Sequence, residues 1–273
     1  MFYAFPEICA ILDKLLARVP LLGSAVRVRK ANTCASAVPA VPMAEEPAQA
    51  VAAAPAHRRE GGAAMNILFL TGLYPDDAGT GRTRSTFVVH ENAVELRRRG
   101  HAVHVFNLKA VYPAWFAMMP DYWYQRGYKG IARMEIDGIG VTRIGYRKVP
   151  KRLPDEHSIE AVCRIIRDEL EPRGVVPDLI VCETLDPNVL VADRLRTGSW
   201  SACRMAVGIH NTDYDRVVRK YGLAAFERCM RRDDRIVYRS HAIQRLFAEK
   251  GLLLDRENFV NGFGIREDML LDK

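Results

Sequence analysis

The loop at residues 74–84, YPDDAGTGRTR, combines residue types that suit the binding of a phosphorylated small molecule. Gly79 and Gly81 would let the backbone approach a ligand closely, and Arg82 and Arg84 supply positive charge. The loop follows the apolar run ILFL, which has no polar alternation, as expected for a strand covered on both faces of a parallel sheet. Because ligands bind at the carboxyl ends of such strands, the segment predicts a small-molecule site.

The elements that would position this loop alternate between strand and helix from Met65 onward. Apolar spacing and end signals predict helices at residues 85–99, 156–170, 187–195, 222–232 and 241–250. Strands are predicted at residues 67–70, 102–108, 179–182, 203–209 and 235–238, and the segment ENFV follows at residues 257–260. We therefore expect an α/β fold with a Rossmann-like, doubly wound and mainly parallel sheet, because crossovers of this length force parallel pairing.

Three local signals refine this plan. Ser240 is the predicted N-cap of the helix at residues 241–250. Asp137 and Gly138 stand between two apolar runs, which predicts a hairpin and hence one antiparallel strand. Asp186 and Pro187 are typical of the N-cap and first residue of a helix, here one that ends near Leu195.

The first 64 residues differ from the rest. From about residue 31 they are rich in Ala, Pro and Val, a composition that predicts a flexible extension. Apolar residues at about positions 7–19 follow helical spacing with charges opposite, so a short amphipathic helix is predicted there. It is too short and too charged to span a bilayer and lacks the features of a secretory signal. Translation from Met65 is the alternative interpretation.

Composition limits the chemical classes of partner that the chain suits. Forty Lys and Arg against 33 Asp and Glu give a formal charge of +7, which favours anionic partners. No nucleic-acid motif occurs, so we expect no nucleic-acid partner. The six cysteines form no CxxC pair and three lie in apolar segments, which indicates reduced thiols, a cytoplasmic setting and no metal site.

Five segments, taken together and in order, resemble the amino-terminal half of retaining GT-B glycosyltransferases of the large group 1 (family 4-like) family. They are MNILFLTGLYPDDAGTG, VELRRRGHAVHVFNL, PDLIVCET, GIHNTD, and DDRIVYRSHAIQRLFAEKG with NFVNGFGI. The match runs from Met65 to about Ile265. Members of that family have two Rossmann-like domains, with the sugar nucleotide held mainly by the second and the acceptor mainly by the first.

The resemblance implies roles for individual residues. His210, at the end of a predicted central strand, matches a histidine beside the transferred sugar and is the candidate catalytic residue; a structural, hydrogen-bonded histidine is the alternative. Donor phosphates would lie over Gly79, Thr80, Gly81 and Arg82. Acceptor contacts would come from Arg84, Glu183 and Asp213, although Asp213 could instead cap a helix. Asn261 and Gly262 match the interdomain hinge.

The resemblance also predicts an organisation and a function. Residues 65–273 would be the acceptor-side domain, and we expect the donor-binding domain to be missing from this chain. Sugar transfer from a nucleotide-sugar donor (UDP- or GDP-sugar) to a glycan or lipid-linked acceptor would then need a separately encoded donor-binding half. No tightly bound cofactor is expected. A truncated, non-catalytic binding module and an NAD-dependent Rossmann oxidoreductase remain alternatives.

A last feature bears on location. Six aromatic residues could form an acceptor platform or a membrane-facing flap, or simply pack on the core. They are Tyr112, Trp115, Phe116, Tyr122, Trp123 and Tyr124. An acceptor platform or a membrane-facing flap would fit a cytoplasmic protein with a peripheral contact at the inner face of the membrane.

Overall fold

The computed structural model describes residues 64–75, 87–114, 130–150, 152–252 and 257–260. Within these residues eight strands form one sheet. The strands are β1 (Asn66–Thr71), β2 (Ala102–Val111), β3 (Ile131–Ile136), β4 (Ile139–Arg147), β5 (Leu179–Glu183), β6 (Arg204–Ile209), β7 (Arg235–Tyr238) and β8 (Asn258–Val260). The predicted helix at residues 7–19, and all but the last residue of the extension, lie outside the described residues.

Helices connect these strands. The longer ones are α1 (Phe87–Arg98), α2 (Glu156–Leu170), α3 (Asn188–Leu195) and α7 (His241–Glu249). A composite segment follows β6: a short α-helix, α4 (Asn211–Asp213), a π-helical stretch (Tyr214–Val218) and a further helical turn, α5 (Arg219–Tyr221). The four-residue α6 (Ala224–Glu227) precedes β7.

The sheet has the strand order β3-β4-β2-β1-β5-β6-β7-β8. Every neighbouring pair is parallel except β3 with β4. The chain therefore builds outward from β1 in one direction and then returns to build outward in the other. In such a doubly wound sheet, ligands bind in the crevice outside the carboxyl ends of the strands where the winding reverses, here β1 and β5.

The core lies on both faces of this sheet. Residues 67–70 of β1 are almost fully buried, which confirms the prediction of a strand covered on both sides. One face packs under α2, α3 and α7, with the fully buried Trp200 among its largest side chains. The other packs under α1, where Val89, Ala93 and Leu96 recur at helical spacing. The α/β, Rossmann-like fold predicted from the sequence is thus observed.

Several local predictions are confirmed. Helix α2 has the predicted bounds, and the Asp155 side chain caps it by accepting from the Ser158 backbone N–H at 2.7 Å. Ser240 caps α7 as predicted, accepting from Ile243 N–H at 3.2 Å. The hairpin at Asp137 and Gly138 joins β3 to β4, and both residues have positive φ.

Two predictions are wrong in detail. Asp186 is not the N-cap of α3: that position is held by Pro187, and the Asp186 carboxylate instead forms an ion pair with Lys148 across the sheet edge. The helix predicted at residues 222–232 is displaced, because helical structure begins directly after β6 at Asn211 and is broken at Gly222, whose φ is 72°. Among the described residues 222–232, the only α-helix is the short α6.

Two further properties concern the thiols and the helices of the described residues. Cys163, Cys182 and Cys203 are buried free thiols, and Cys229 is a half-buried one. Among the helices of the described chain, none combines the length and apolar character that a membrane crossing requires.

Candidate functional site

Three neighbouring strands deliver three charged or titratable side chains to one point at the carboxyl edge of the sheet. Glu183 is the last residue of β5, His210 directly follows β6, and Arg239 directly follows β7. The strand register pairs Glu183 with Gly208, and Ile209 with Tyr238. Because the three strands are parallel and adjacent, their carboxyl ends meet, and the three side chains form what we call the edge cluster.

Glu183 is the centre of the edge cluster. Glu183 is 1% exposed. One carboxylate oxygen, Oε2, lies 3.1 Å from His210 Nε2, and the other, Oε1, accepts a hydrogen bond from the Arg239 guanidinium. Both oxygens are therefore occupied by side chains of the neighbouring strand ends.

The charge state of Glu183 fixes the histidine tautomer. Burial by itself would raise the pKa of the carboxyl, but the charge of Arg239 and the hydrogen bond from His210 outweigh it and lower the pKa to about 2. The group is thus an ionised carboxylate at neutral pH, which can only accept hydrogen bonds. His210 must carry a hydrogen on Nε2, and in a neutral ring Nδ1 is then the acceptor nitrogen.

Gly208 makes room for the edge cluster. A Cβ built on this glycine would lie 2.8 Å from Glu183 Oε2 and 3.2 Å from a terminal nitrogen of Arg239. Real Cβ atoms essentially never have a neighbour as close as 2.8 Å. The glycine of the GIHNTD segment is therefore explained by the close approach of a buried carboxylate rather than by backbone conformation.

Asp213 fixes the backbone on both sides of the edge cluster. Its carboxylate accepts from His210 N–H at 2.8 Å and from Leu185 N–H at 2.9 Å. It thereby joins the start of the helical segment after β6 to the loop after β5. Burial raises the pKa of the Asp213 carboxyl to about 6, although the two backbone hydrogen bonds act in the opposite direction.

The loop after β5 is held in a second way. Asn188, at the start of α3, donates from its amide nitrogen to the Glu183 carbonyl at 2.9 Å and to Thr184 Oγ1 at 3.0 Å. Thr184 has a φ of 105°, a conformation that residues with a side chain rarely adopt. The Asn188 amide therefore contributes to holding Thr184 and, with it, the carboxyl end of β5.

His210 is the least buried member of the edge cluster, at 9% exposed for the whole residue. Its side chain is 11% exposed, whereas those of Glu183 and Arg239 are 2% and 5% exposed. An imidazole held from behind by an ionised carboxylate, with part of its edge at the surface, can contact a ligand hydroxyl.

The structure brings together three of the predicted site residues, His210, Glu183 and Asp213. It gives Asp213 a backbone-fixing role that resembles the predicted cap, except that His210 holds the N-cap position and Asp213 lies three residues later. The predicted acceptor contacts of Glu183 and Asp213 stay predictions; in this structure their oxygens bond to protein groups. The other predicted site residues lie outside the described residues: Gly79, Thr80, Gly81, Arg82, Arg84, Asn261 and Gly262.

Sequence reasoning missed three residues of this site: Arg239, Asn188 and Gly208. Arg239 had a usable signal, because it stands between a predicted strand end and the Ser240 cap, at the same kind of position as His210. The roles of Asn188 and Gly208 depend on contacts between strands and have no local signature in the sequence.

The described residues contain no group of three His, Cys, Asp or Glu side chains arranged to hold a metal ion. No protein-family model matches the sequence, and no curated protein sequence matches it either. The case for a function therefore rests on the geometry of the edge cluster and on the resemblance of the motifs.

Proposed function

We propose that residues 65–273 are the acceptor-side lobe of a GT-B glycosyltransferase, which transfers a sugar from a UDP- or GDP-sugar to a glycan or lipid-linked acceptor together with a donor-binding lobe. The observation that carries the proposal is His210, fixed at the carboxyl end of β6 by Glu183 with its rim at the surface. This position, next to the reversal of the winding, is where doubly wound sheets bind ligands.

In this proposal His210 binds a sugar hydroxyl. A sugar presents hydroxyl groups that both donate and accept, and the exposed edge of the His210 ring is where such a hydroxyl would contact it. Glu183 is a positioning residue: it holds the ring in one tautomer and one orientation. Since pre-organised hydrogen-bonding groups need no rearrangement on binding, the edge cluster would orient the sugar for transfer.

The remaining parts of the proposal follow from the resemblance. Donor phosphates would lie over the loop of Gly79, Thr80, Gly81 and Arg82, and Asn261 and Gly262 would form the hinge toward the donor-binding lobe. A lipid-linked acceptor would place the protein at the cytoplasmic face of a membrane. A lobe that binds glycans without transfer would use the same edge cluster.

The first test is binding of the labelled full chain to an array of mono- and oligosaccharides. We expect binding to a subset of glycans, lowered about fivefold to tenfold by His210→Ala, which is the effect of losing one hydrogen bond. His241→Ala is the matched control, because His241 is exposed and lies outside the edge cluster. Absence of glycan binding, or equal losses in the two variants, would contradict the proposal.

The second test separates the donor from the acceptor and from the oxidoreductase alternative. Isothermal titration of the full chain with UDP-glucose, GDP-mannose and NADH should detect no tight binding, because in this family the second domain supplies most donor contacts. Tight binding of a sugar nucleotide by this lobe would contradict the proposed division of labour. Tight binding of NADH would favour the oxidoreductase.

A further inference from the structure

A second concave region opens at the same edge of the sheet, beyond the ends of β2 and β4. It is a cavity of about 620 Å³, bounded by the end of β2, the end of β4 with the loop after it, and the first turn of α2. Volumes of this size are typical of small-molecule sites. The residues that line this cavity lie outside the motifs that suggested a sugar site. The chemistry of the lining residues therefore indicates which ligand the cavity suits.

The lining of the cavity is strongly basic. Arg147, Lys148 and Arg152 line it, and Asp155 is the one carboxylate among the described lining residues. Asp155 is engaged in capping α2, and Lys148 is engaged by Asp186. The Arg147 and Arg152 side chains have no hydrogen bond or ion pair with a carboxylate in the described part of the chain. Arg147 acts electrostatically on Asp155, so the three basic side chains share one carboxylate and the lining keeps a net positive charge.

The start of α2 adds to the positive potential. This helix is 15 residues long, and His157 and Ser158 of its first turn line the cavity. The amino-terminal end of a helix carries a partial positive charge and favours anions. The Asp155 carboxylate already accepts from Ser158 N–H at this helix end, so the arginines are the main source of positive charge for a ligand.

The rest of the wall is apolar, with Val111, Pro113 and Leu153 among its residues. A bare inorganic ion would leave the apolar side chains of that wall exposed to water. A ligand with an anionic group joined to a carbon skeleton would cover it. Guanidinium groups bind phosphate with paired, charge-assisted hydrogen bonds, which makes a phosphate ester the best match.

We propose that this cavity binds the phosphate group of a phosphate ester, with Arg147 and Arg152 as its ligands. That the ester is the acceptor rests on the proposed function; that the cavity binds a phosphate does not. The Lys148–Asp186 ion pair joins the cavity to the loop that follows Glu183. A ligand anchored by its phosphate in the cavity could therefore extend toward His210 along one edge of the sheet.

The test is calorimetric titration of the full chain with glucose 1-phosphate, and separately with glucose. We expect glucose 1-phosphate to bind and glucose to bind much more weakly. The double variant Arg147→Gln/Arg152→Gln should lose at least about tenfold in affinity, because each charged hydrogen-bonding partner is worth severalfold or more. Raising the salt concentration should weaken binding by the wild-type chain.

The matched control is Arg232→Gln. Arg232 is exposed and precedes β7 at the opposite, amino-terminal edge of the sheet. It should leave the affinity unchanged, whereas equal losses in the control and the double variant would show diffuse attraction and overturn the proposal. His210→Ala should keep phosphate binding, so failure of the sugar site and failure of the cavity give different results.

A parallel experiment identifies the source of the phosphate. Vesicles of phosphatidylcholine, with and without phosphatidylglycerol, are sedimented with the chain. Binding of glucose 1-phosphate that requires the two arginines supports a water-soluble ester. Sedimentation that requires both phosphatidylglycerol and the two arginines supports a lipid phosphate. If neither probe shows binding that depends on the two arginines, the proposal is wrong.

Discussion

Two buried arginine–carboxylate pairs lie at opposite edges of the sheet, and they have different surroundings. At the amino-terminal edge, Arg196 and Asp234 are 0% and 1% exposed in their side chains, with Nη1 2.6 and 2.8 Å from the two carboxylate oxygens. At the carboxyl edge, Arg239 and Glu183 are nearly as buried, but the carboxylate also holds His210, which reaches the surface.

The amino-terminal pair is bound by backbone groups. Asp234 also accepts from Met205 N–H at 3.0 Å and Arg231 N–H at 2.6 Å, and Arg196 donates to the Cys229 carbonyl at 2.6 Å. It thereby ties the end of α3 to the starts of β6 and β7. Every one of these bonds is internal, which is what a purely structural ion pair requires.

The carboxylate of the carboxyl-edge pair is bound by a second side chain, whereas the carboxylate of the amino-terminal pair is bound by backbone amides. In place of two backbone amides, the Glu183 carboxylate receives an imidazole, a group that can bind a ligand and change its protonation. The same chemistry is thus used once for holding strands together and once for presenting a functional group. The predictions below test this difference, from the largest effect to the smallest.

The largest effect is expected from Asp234→Ala. It leaves the Arg196 guanidinium buried without its carboxylate and frees two backbone amides, so the free energy of unfolding should fall by about 5 kcal/mol. Urea denaturation measures the change. Asp234→Asn, which keeps one acceptor oxygen, should lose less. A loss below about 1 kcal/mol for the alanine variant would show that the pair does not hold this edge.

Glu183→Gln should cost about 4 kcal/mol, because the Arg239 charge stays buried without a counter-charge. The double variant Glu183→Gln/Arg239→Gln should cost clearly less than the sum of the two single changes, since neither charge is then left alone. Urea denaturation of the wild type, Glu183→Gln, Arg239→Gln and the double variant gives the four free energies of this double-mutant cycle. Additive losses would mean that the two groups do not interact.

The pH dependence of stability distinguishes the two carboxyl groups near His210. The pKa of Asp213 is raised to about 6 from an ordinary value near 4, so its stabilising contribution is present below about pH 4 and is lost as the pH rises through about 6. The loss is up to about 3 kcal/mol. Asp213→Asn should remove this part of the stability curve, measured as urea midpoints between about pH 4 and 7.

Glu183 contributes in the opposite sense. Its pKa is lowered to about 2, so its contribution is present above its ordinary pKa and is lost as the pH falls toward 2. The Glu183→Gln variant therefore serves as the control for the Asp213 experiment: it should change the acid limb and leave the limb between about pH 4 and 6 in place. An unchanged upper limb in Asp213→Asn would contradict the assignment.

The smallest effect concerns the space beside the edge cluster. Gly208→Ala places a methyl group 2.8 Å from Glu183 Oε2, and the buried carboxylate must shift; we expect a loss of about 2 kcal/mol. Gly140→Ala in β4 is the matched control, because nothing lies within 4 Å of its added Cβ. Equal stability changes in the two variants, read from thermal unfolding, would show that the edge cluster is not tightly packed.

The sequence allowed the fold to be predicted well and the site only partly. Strand β1 is a continuous apolar run and helix α2 has apolar residues at helical spacing, and the Asp137–Gly138 hairpin and the Ser240 cap have short-range signals. Those local signals were sufficient because each element is built by residues close in sequence.

The failures share a physical cause. Asp186 has the local signature of an N-cap, but a lysine 38 residues away competes for its carboxylate. The helix after β6 begins earlier than its apolar spacing suggests, because Asp213 bonds back to His210 N–H at the strand end. Arg239 and Asn188 become site residues only when strands and helices assemble. Contacts between distant segments decide these positions, and one sequence does not display them.

The measurement that tests the central claim most directly is a long-range ¹H–¹⁵N NMR spectrum of the full chain labelled with ¹⁵N-histidine. We predict that His210 carries its hydrogen on Nε2, and that methyl α-D-glucopyranoside or methyl α-D-mannopyranoside shifts its ring resonances while the His241 resonances stay in place. A hydrogen on Nδ1, or resonances of His210 that neither sugar moves, would contradict it.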